Sequence, residues 1–518
     1  MSKEKFSEQI QSAYKSDSKR ILIGGAIYEG APVDNLQINI PLGMFNRHGL
    51  IAGATGTGKT KTLQILIERL SDNSVPVLCM DIKGDLSGLA KEGVLNPKIE
   101  ERQNKIGEPF TPKKYPVELL SLSGKDGAQL RATVSEFGPV LFSKILELND
   151  TQAGLISILF KYCDDNKIPL LDLPDIKKIL NYAVNEGKKE LEELYGKIST
   201  TSAGTILRKI VELEQQGAGL FFGETSFDTQ DLIKIDENGN GYISILRVND
   251  IQDKPKLFST FMLSLLAEIY SSFPEEGDLD MPKLVIFIDE AHLIFNEASK
   301  ALLDQIETII KLIRSKGVGI FFCTQNPTDV PRSVLSQLGL KIQHALRAFT
   351  AADRKMIKLT AENYPESEFY KTDELLTSLG IGEAAVTALS EKGVPTPLIA
   401  VLLCAPRTRM DTLSDNEIQD ILIKSKLISK YKETINRESA YEILNKKIEE
   451  FNSPEKQEQL QKETRTTTKP EKSTFEKVIN DPITKQVGRT VAREVTRGLL
   501  GVLGLGGSTR RRKSGGWF

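Results

Sequence analysis

His48-Gly49-Leu50-Ile51-Ala52-Gly53-Ala54-Thr55-Gly56-Thr57-Gly58-Lys59-Thr60 is the stretch whose reading decides the fold. From Gly53 it fits the phosphate-loop spacing G-x-x-x-x-G-K-[ST] at every position. The glycines let successive backbone N–H groups point inward at a triphosphate, Lys59 reaches the β- and γ-phosphates, and the Thr60 hydroxyl can ligate Mg²⁺. Context agrees. An apolar run ends at Gly53 as a buried parallel strand does, and Leu63, Leu66, Ile67 and Leu70 then recur at helical spacing. The expected nucleotide contacts are Gly53, Ala54, Thr55, Gly56, Thr57, Gly58, Lys59, Thr60 and Lys61.

The second half of such a site needs carboxylates at the ends of neighbouring strands. Leu284-Val285-Ile286-Phe287-Ile288-Asp289-Glu290 is an apolar strand ending in two of them. Asp289 is placed to hold Mg²⁺ and Glu290 to orient or deprotonate the attacking water; Glu290 as a simple helix cap is the competing reading. Gly319 to Cys323 is a further buried strand, followed by Thr324-Gln325, with Gln325 either a γ-phosphate sensor or a loop amide. Arg314 ends the preceding helix, where the dipole favours any cation. It also qualifies as an arginine acting on a neighbouring subunit's nucleotide, with Arg347 and Arg354 as rivals. Asp81-Ile82-Lys83-Gly84-Asp85 closes the strand Val75–Met80, where ligands bind in open α/β sheets. A plain polar loop explains it equally well. His292 makes the string Asp-Glu-Ala-His, but other DEAH-box motifs do not accompany it.

Several segments surround this centre. Residues 1–45 read as a polar helix (1–20) and a small β element (21–40). The ATPase core occupies 46–95 and 236–410, interrupted by a mainly helical insertion at 96–235 with helices at Asp150–Tyr162, Leu173–Glu186 and Leu191–Gln216. Core strands are expected at Leu284–Ile288, Val318–Cys323, Ile342–Leu346 and Leu398–Leu403, with helices at Ser259–Ser271 and Ser299–Lys316. Residues 411–465 read as polar helices and 466–518 as a linker and basic tail, disordered over 466–480. From Ile483 the tail carries eight Lys/Arg against one Glu, with Arg489, Arg493 and Arg497 at helical spacing. Asp236-Glu237-Asn238-Gly239-Asn240-Gly241 begins like a calcium loop, yet its twelfth position is Arg247 rather than Glu, so a hairpin turn between 232–235 and 242–245 is expected instead.

At 518 residues, 40% hydrophobic and 27% charged, the chain has the composition of a globular protein with two or three domains. A net charge of −2 argues against a generally basic nucleic-acid coat. The four cysteines are far apart, without metal spacing, and point to a reducing cytoplasm. No apolar run approaches membrane-spanning length, and membrane contact is expected only through the basic tail.

Taken together, the stretch from His48 to Thr60, Asp81 to Asp85, Asp289 to His292 and Thr324-Gln325-Asn326-Pro327 resemble the HerA/FtsK superfamily, and within it the YjgR-like group of HerA-type ATPases. Phe222-Gly223-Glu224 and Ile313 to Gly317 fit that group too. The resemblance covers about residues 20–410. It implies an α/β, RecA-like P-loop NTPase core with a mainly parallel sheet, ATP and Mg²⁺ as cofactors, ring-shaped homo-hexamers with sites between subunits, and DNA translocation in many members. It assigns nucleotide to Lys59 and Thr60, metal and water to Asp289 and Glu290, sensing to Gln325 and a trans finger to Arg314. Two departures stand out: Asn326 where many relatives have Arg, and an N-terminal β element shorter than the barrel of archaeal HerA proteins. DNA as substrate rests on the resemblance; an energiser of protein secretion is the alternative.

Overall fold

The computed structural model describes residues 3–249, 254–277, 279–295, 300–432 and 437–453. The linker and basic tail, and the end of the 411–465 helical region, lie outside these. Two compact units are present: Met1–Leu130 with Phe227–Glu433, and Arg131–Ser226 with Thr434–Phe518.

The first unit is built on one sheet of twelve strands: β1 (Arg20–Tyr28), β2 (Ala31–Pro41), β3 (Gly49–Ala52), β4 (Val77–Asp81), β5 (Val117–Ser121), β6 (Ala128–Gln129), β7 (Ile243–Arg247), β8 (Leu284–Ile288), β9 (Val318–Thr324), β10 (Leu340–Gln343), β11 (Glu383–Thr387) and β12 (Ile399–Leu403). Their spatial order is β2-β1-β12-β11-β10-β3-β9-β8-β4-β7-β5-β6. From β10 to β6 every neighbouring pair is parallel, whereas β11, β12, β1 and β2 extend the sheet antiparallel. The central strands β3, β4, β8 and β9 are buried along their whole length, as strands covered by helices on both faces must be.

Several elements differ from the sequence reading, each for a local reason. The β element at 21–40 is a hairpin that continues the main sheet, because Gly24 opposite Leu403 lets β12 come close: a Cβ there would lie 2.1 Å from the Leu402 carbonyl oxygen. The N-terminal helix, α1 (Lys3–Ala13), is amphipathic rather than polar. Its Phe6 and Ile10 are fully buried, and the Phe6 ring packs on Tyr28 and Phe369. Val117–Ser121 is a strand inside a stretch read as helical: Glu118 and two leucines mimic a helix, but the segment pairs with β7. β10 starts and ends earlier than the expected Ile342–Leu346, since Ala345 turns its carbonyl to the phosphate loop instead. β11 gives little signal in sequence because it is short and alanine-rich. The expected hairpin at 232–245 is a tight turn with one bridge, Ile235 to Gly241, and the Asp236 carboxylate accepts the N–H groups of Asn238 and Asn240.

The second unit is helical. Its segments Val134–Ile145, Asp150–Asp165 and Leu173–Val184 each open on a capping box, Thr133/Glu136, Asn149/Gln152 and Asp172/Asp175. The stretch read as one helix from Leu191 to Gln216 is two, Lys188–Tyr195 and Thr200–Gln215, divided at Gly196. Asp175, fully buried, accepts from Leu171 N–H at 2.7 Å, the Ser439 hydroxyl at 2.6 Å and Tyr441 N–H at 2.8 Å, and so ties in the helix Ala440–Asn452. Among the described residues no helix is long and apolar enough to cross a membrane.

The helix after β3, α2 (Lys59–Asp72), is gripped from outside by residues 407–410. Glu68, 1% exposed, accepts Arg407 N–H at 2.9 Å, Thr408 N–H at 3.0 Å and the Thr408 hydroxyl at 2.6 Å. Gln64 donates to Arg409 O, and Lys61 to Met410 O. Replacing Glu68 with Ala strands three buried donors. It is expected to destabilise this unit by about 3 kcal/mol, read as a lowered denaturant midpoint; an unshifted midpoint would contradict this account of the clamp.

Candidate active site

β3 ends at Ala52, and the chain then wraps into the loop 53–58. Gly53, Gly56 and Gly58 all have positive φ, 153°, 78° and 110°, conformations that residues with a Cβ resist. Gly53 also lies against His344, where a Cβ would be 2.5 Å from the imidazole-bearing carbon. Neighbouring elements fix the loop. Gly53 N–H donates to Thr324 O (3.3 Å), Ala54 N–H to Ala345 O (2.9 Å), and Gly382 N–H to Thr57 O (3.0 Å). Within the loop the Thr57 hydroxyl donates to Ala54 O at 2.7 Å, and Lys59 Nζ donates to Gly53 O at 2.7 Å and Ala54 O at 3.2 Å. α2 has no side-chain cap at its N-terminus, so its first amides and the positive end of its dipole face the loop. Thr60 is the second residue of that helix. Lys61 donates its ammonium to the Met410 carbonyl.

The sheet register brings the other groups to this edge. Ala52 pairs with Thr324, and Ile288 with Phe322, so the ends of β3, β9 and β8 lie side by side. At ordinary strand spacing the two carboxylates after β8 are rooted about 10 Å from β3. They are near enough that Asp289 and Glu290 both favour the charged form of Lys59, whose pKa burial pulls down. Asp289 accepts Glu290 N–H at 2.9 Å; burial, then the charge of Glu290, raises its pKa. Glu290, 8% exposed, has a left-handed backbone (φ 48°), which turns its side chain out of the strand line. Its Oε1 accepts from Lys83 Nζ at 2.6 Å, and His292 Nδ1 stands 3.4 Å from Oε2. Gln325, just past β9, is exposed and accepts from the Thr55 hydroxyl at 3.4 Å. The loop, Lys59, Asp289, Glu290 and Gln325 are therefore brought together.

Arg314 is not part of this grouping. It sits in the turn Arg314–Lys316 before β9, roughly 20 Å of strand away from Gln325. Arg347 and Arg354 are exposed beyond β10, Arg354 within the helix Ala351–Ala361. Two of the three histidines are structural. His48 accepts Ile320 N–H on Nδ1 (3.0 Å) and donates through Nε2 to Ile310 O (2.8 Å), and burial pushes its pKa down to about 4. His344 sits under the loop, with Nε2 2.9 Å from the Thr62 hydroxyl, and burial lowers it likewise to about 4.

The Asp81–Asp85 string divides into two roles. Asp81 is a turn organiser: its carboxylate accepts the N–H groups of Gly84 (2.7 Å), Asp85 (3.1 Å) and Leu86 (3.0 Å), and burial pushes its pKa up to about 6. Lys83 is a site residue that the sequence offers only as one member of the Asp81–Asp85 string, with no role of its own assigned. As for metal, the Thr60 hydroxyl and the Asp289 carboxylate are hard oxygen donors at one edge, a set that suits Mg²⁺ shared with phosphate oxygens and water.

The chain as a whole is similar to known proteins. A family model described as "Helicase HerA-like C-terminal" matches residues 28–511. A "DNA double-strand break repair helicase HerA" of Sulfolobus acidocaldarius is 24% identical over 408 residues, spanning 73% of this chain and 68% of that protein. Its namesake in Sulfurisphaera tokodaii is 24% identical over 385 residues, spanning 73% and 70%. Among solved structures, the "bacterial conjugative coupling protein TrwBdeltaN70" aligns over 79% of this chain and 94% of its own, at 14% identity and a TM-score of 0.49. With the family model covering most of its length, the chain belongs to the HerA helicase C-terminal-like family of P-loop ATPases.

Proposed function

We propose that the protein is a Mg²⁺-dependent ATPase that works as a ring of copies, a homo-hexamer by family analogy, and couples hydrolysis to moving or remodelling DNA. One observation carries the reading: the parallel register of β3, β9 and β8 gathers a phosphate loop, its lysine, two carboxylates and an amide at one edge. Each has work to do in phosphoryl transfer, where positioning and charge stabilisation supply most of the catalysis. The loop amides and Lys59 bind the β- and γ-phosphates. Thr60 and Asp289 would hold Mg²⁺, which when bound neutralises phosphate charge. Glu290 accepts a proton from water as that water's oxygen attacks the γ-phosphorus; the bond to the β–γ bridging oxygen breaks, and ADP and phosphate leave. Gln325, hydrogen-bonded to Thr55, orients the water or senses the γ-phosphate. Arg314, at the opposite end of β9, would act on a neighbouring copy's nucleotide, with Arg347 and Arg354 as rivals.

DNA as the moved substrate is supported by the names of the Sulfolobus acidocaldarius and Sulfurisphaera tokodaii relatives. A motor acting on protein partners is the second reading, favoured by the net charge of −2. In both, the protein works in the cytoplasm and membrane contact is limited to the basic tail from Ile483.

Two measurements test this. Lys59→Ala should abolish hydrolysis, and Glu290→Gln should lower kcat by about 100-fold or more while nucleotide binding persists; unchanged turnover in Glu290→Gln would reject its role as base. Separately, duplex DNA should stimulate turnover of the full chain, with stimulation falling steeply as salt rises. Turnover indifferent to DNA at low salt would transfer support to the protein-partner reading.

A further inference from the structure

The geometry points to Lys83 as a positioning residue of the hydrolytic centre: it holds one oxygen of Glu290 so that the other is left to take the water's proton. This rests on the ATPase reading above and adds to it a residue outside the phosphate loop and the carboxylate pair.

Two features of the backbone build the contact. Met80 pairs with Ile288, so the chain beyond β4 runs beside the chain beyond β8. Asp81 then fixes the turn by accepting three successive N–H groups, with Gly84 in the left-handed region (φ 82°). The Lys83 backbone is thus anchored rather than free to follow its side chain. On the facing side, Glu290 follows β8 with a left-handed backbone (φ 48°), and its carboxylate meets Lys83 of that turn.

The two oxygens of Glu290 are then made unequal. Oε1 accepts from Lys83 Nζ at 2.6 Å, a charge-assisted bond of the short, strong kind. Oε2 is buried and accepts no hydrogen bond; His292 Nδ1, at 3.4 Å, is not aligned to donate one. A carboxylate in this state has one oxygen pinned and one lone-pair-bearing oxygen available in a confined space. That is the arrangement a base needs, because a proton acceptor displaced by even about 1 Å loses much of its rate advantage. The Lys83 side chain is 53% exposed while that of Glu290 is 10% exposed, so the lysine is the solvent-facing member of the pair. Lys83 lies close enough to Lys59 to disfavour a second charge there. A direct phosphate contact by Lys83 is therefore the rival account, and the two differ in what they do to nucleotide binding.

The experiment is a double-mutant cycle on the full chain. ATP turnover and the Kd of a fluorescent ATP analogue are measured for wild type, Lys83→Met, Lys83→Arg, Glu290→Gln and the Lys83→Met/Glu290→Gln pair, with Lys59→Ala as the nucleotide-site control. Lys83→Met is expected to lower kcat about 10- to 100-fold with analogue Kd and KM within twofold of wild type. Lys83→Arg should recover most of the loss. In the Glu290→Gln background, loss of Lys83 should have no further effect, because it acts only through that carboxylate. Turnover unchanged in Lys83→Met, effects of the two substitutions that multiply, or a Kd weakened tenfold would each overturn the proposal, the last in favour of phosphate contact. Failure of wild type itself to hydrolyse ATP would instead sink the ATPase reading. Matching thermal midpoints for wild type and Lys83→Met exclude unfolding as the cause; if they differ, Lys83→Gln takes the place of Lys83→Met in the same cycle.

Discussion

Parallel pairing of β3 with β9 and β10 is the constraint on which the rest depends. Parallel strands end at the same edge of a sheet, so the segments that leave adjacent strands meet one another there. The phosphate loop after β3 receives carbonyl partners from the ends of both flanking strands, Thr324 on one side and Ala345 on the other. A slip of one residue would turn every side chain to the opposite face of the sheet and break both contacts. Glycine is what allows the fit. Gly49 on β3 lies so close to Phe321 that a Cβ would be 2.3 Å from the ring, and Gly319 on β9 leaves no room beside the Phe45 carbonyl.

That edge concentrates ionisable groups that burial disfavours. Lys59, Asp81 and Asp289 are each shifted toward their neutral forms by desolvation. Isolated, such charges would be costly to bury; here each is opposed by a partner. Asp81 takes three N–H donors, Asp289 takes the Glu290 N–H, and Lys59 takes two loop carbonyls while sensing both carboxylates; beside them Glu290 takes Lys83. The hydrogen bond to Glu290 in turn raises the Lys83 pKa, so that lysine stays an ammonium. Perturbed groups in such company mark chemistry more often than architecture, since a purely structural core would have used apolar side chains.

The legible part of the sequence obeys strong local rules. The loop at 53–60 has a spacing that few other structures need, and the strands at 284–288 and 318–323 are apolar runs bounded by charge or glycine. The parallel sheet is readable from strands alternating with helices. Less legible are features set by distant residues. β5 looks helical until β7 covers it, and the hairpin at 20–41 gives no sign in its own residues that β12 will accept it. Phe6 and Ile10 are two apolar residues in a polar stretch, and their burial depends on Tyr28 and Phe369. Lys83 is legible in part: its string, Asp81–Asp85, marks a strand end where ligands bind, but its pairing with Glu290 is set by the register of β4 against β8.

α2 joins these two scales. Its N-terminus presents the amides of the phosphate site, and its body is held by residues 407–410 through Gln64 and Glu68, with Arg407 reaching Asp72. Lys61, in the first turn, is held by Met410. The clamp thus runs from the first turn of the helix to its last residue. A helix gripped along its length cannot tilt or fray independently, so its amides keep their aim relative to the sheet. This matters because dipoles stabilise transferring charge only when they are fixed before the charge arrives. The same segment is itself braced, by Arg409 to Glu417 and by the Arg407 and Thr408 carbonyls packed against Gly93. Rigidity at the phosphate loop is therefore supplied from more than three hundred residues further along the chain, where no motif would direct attention.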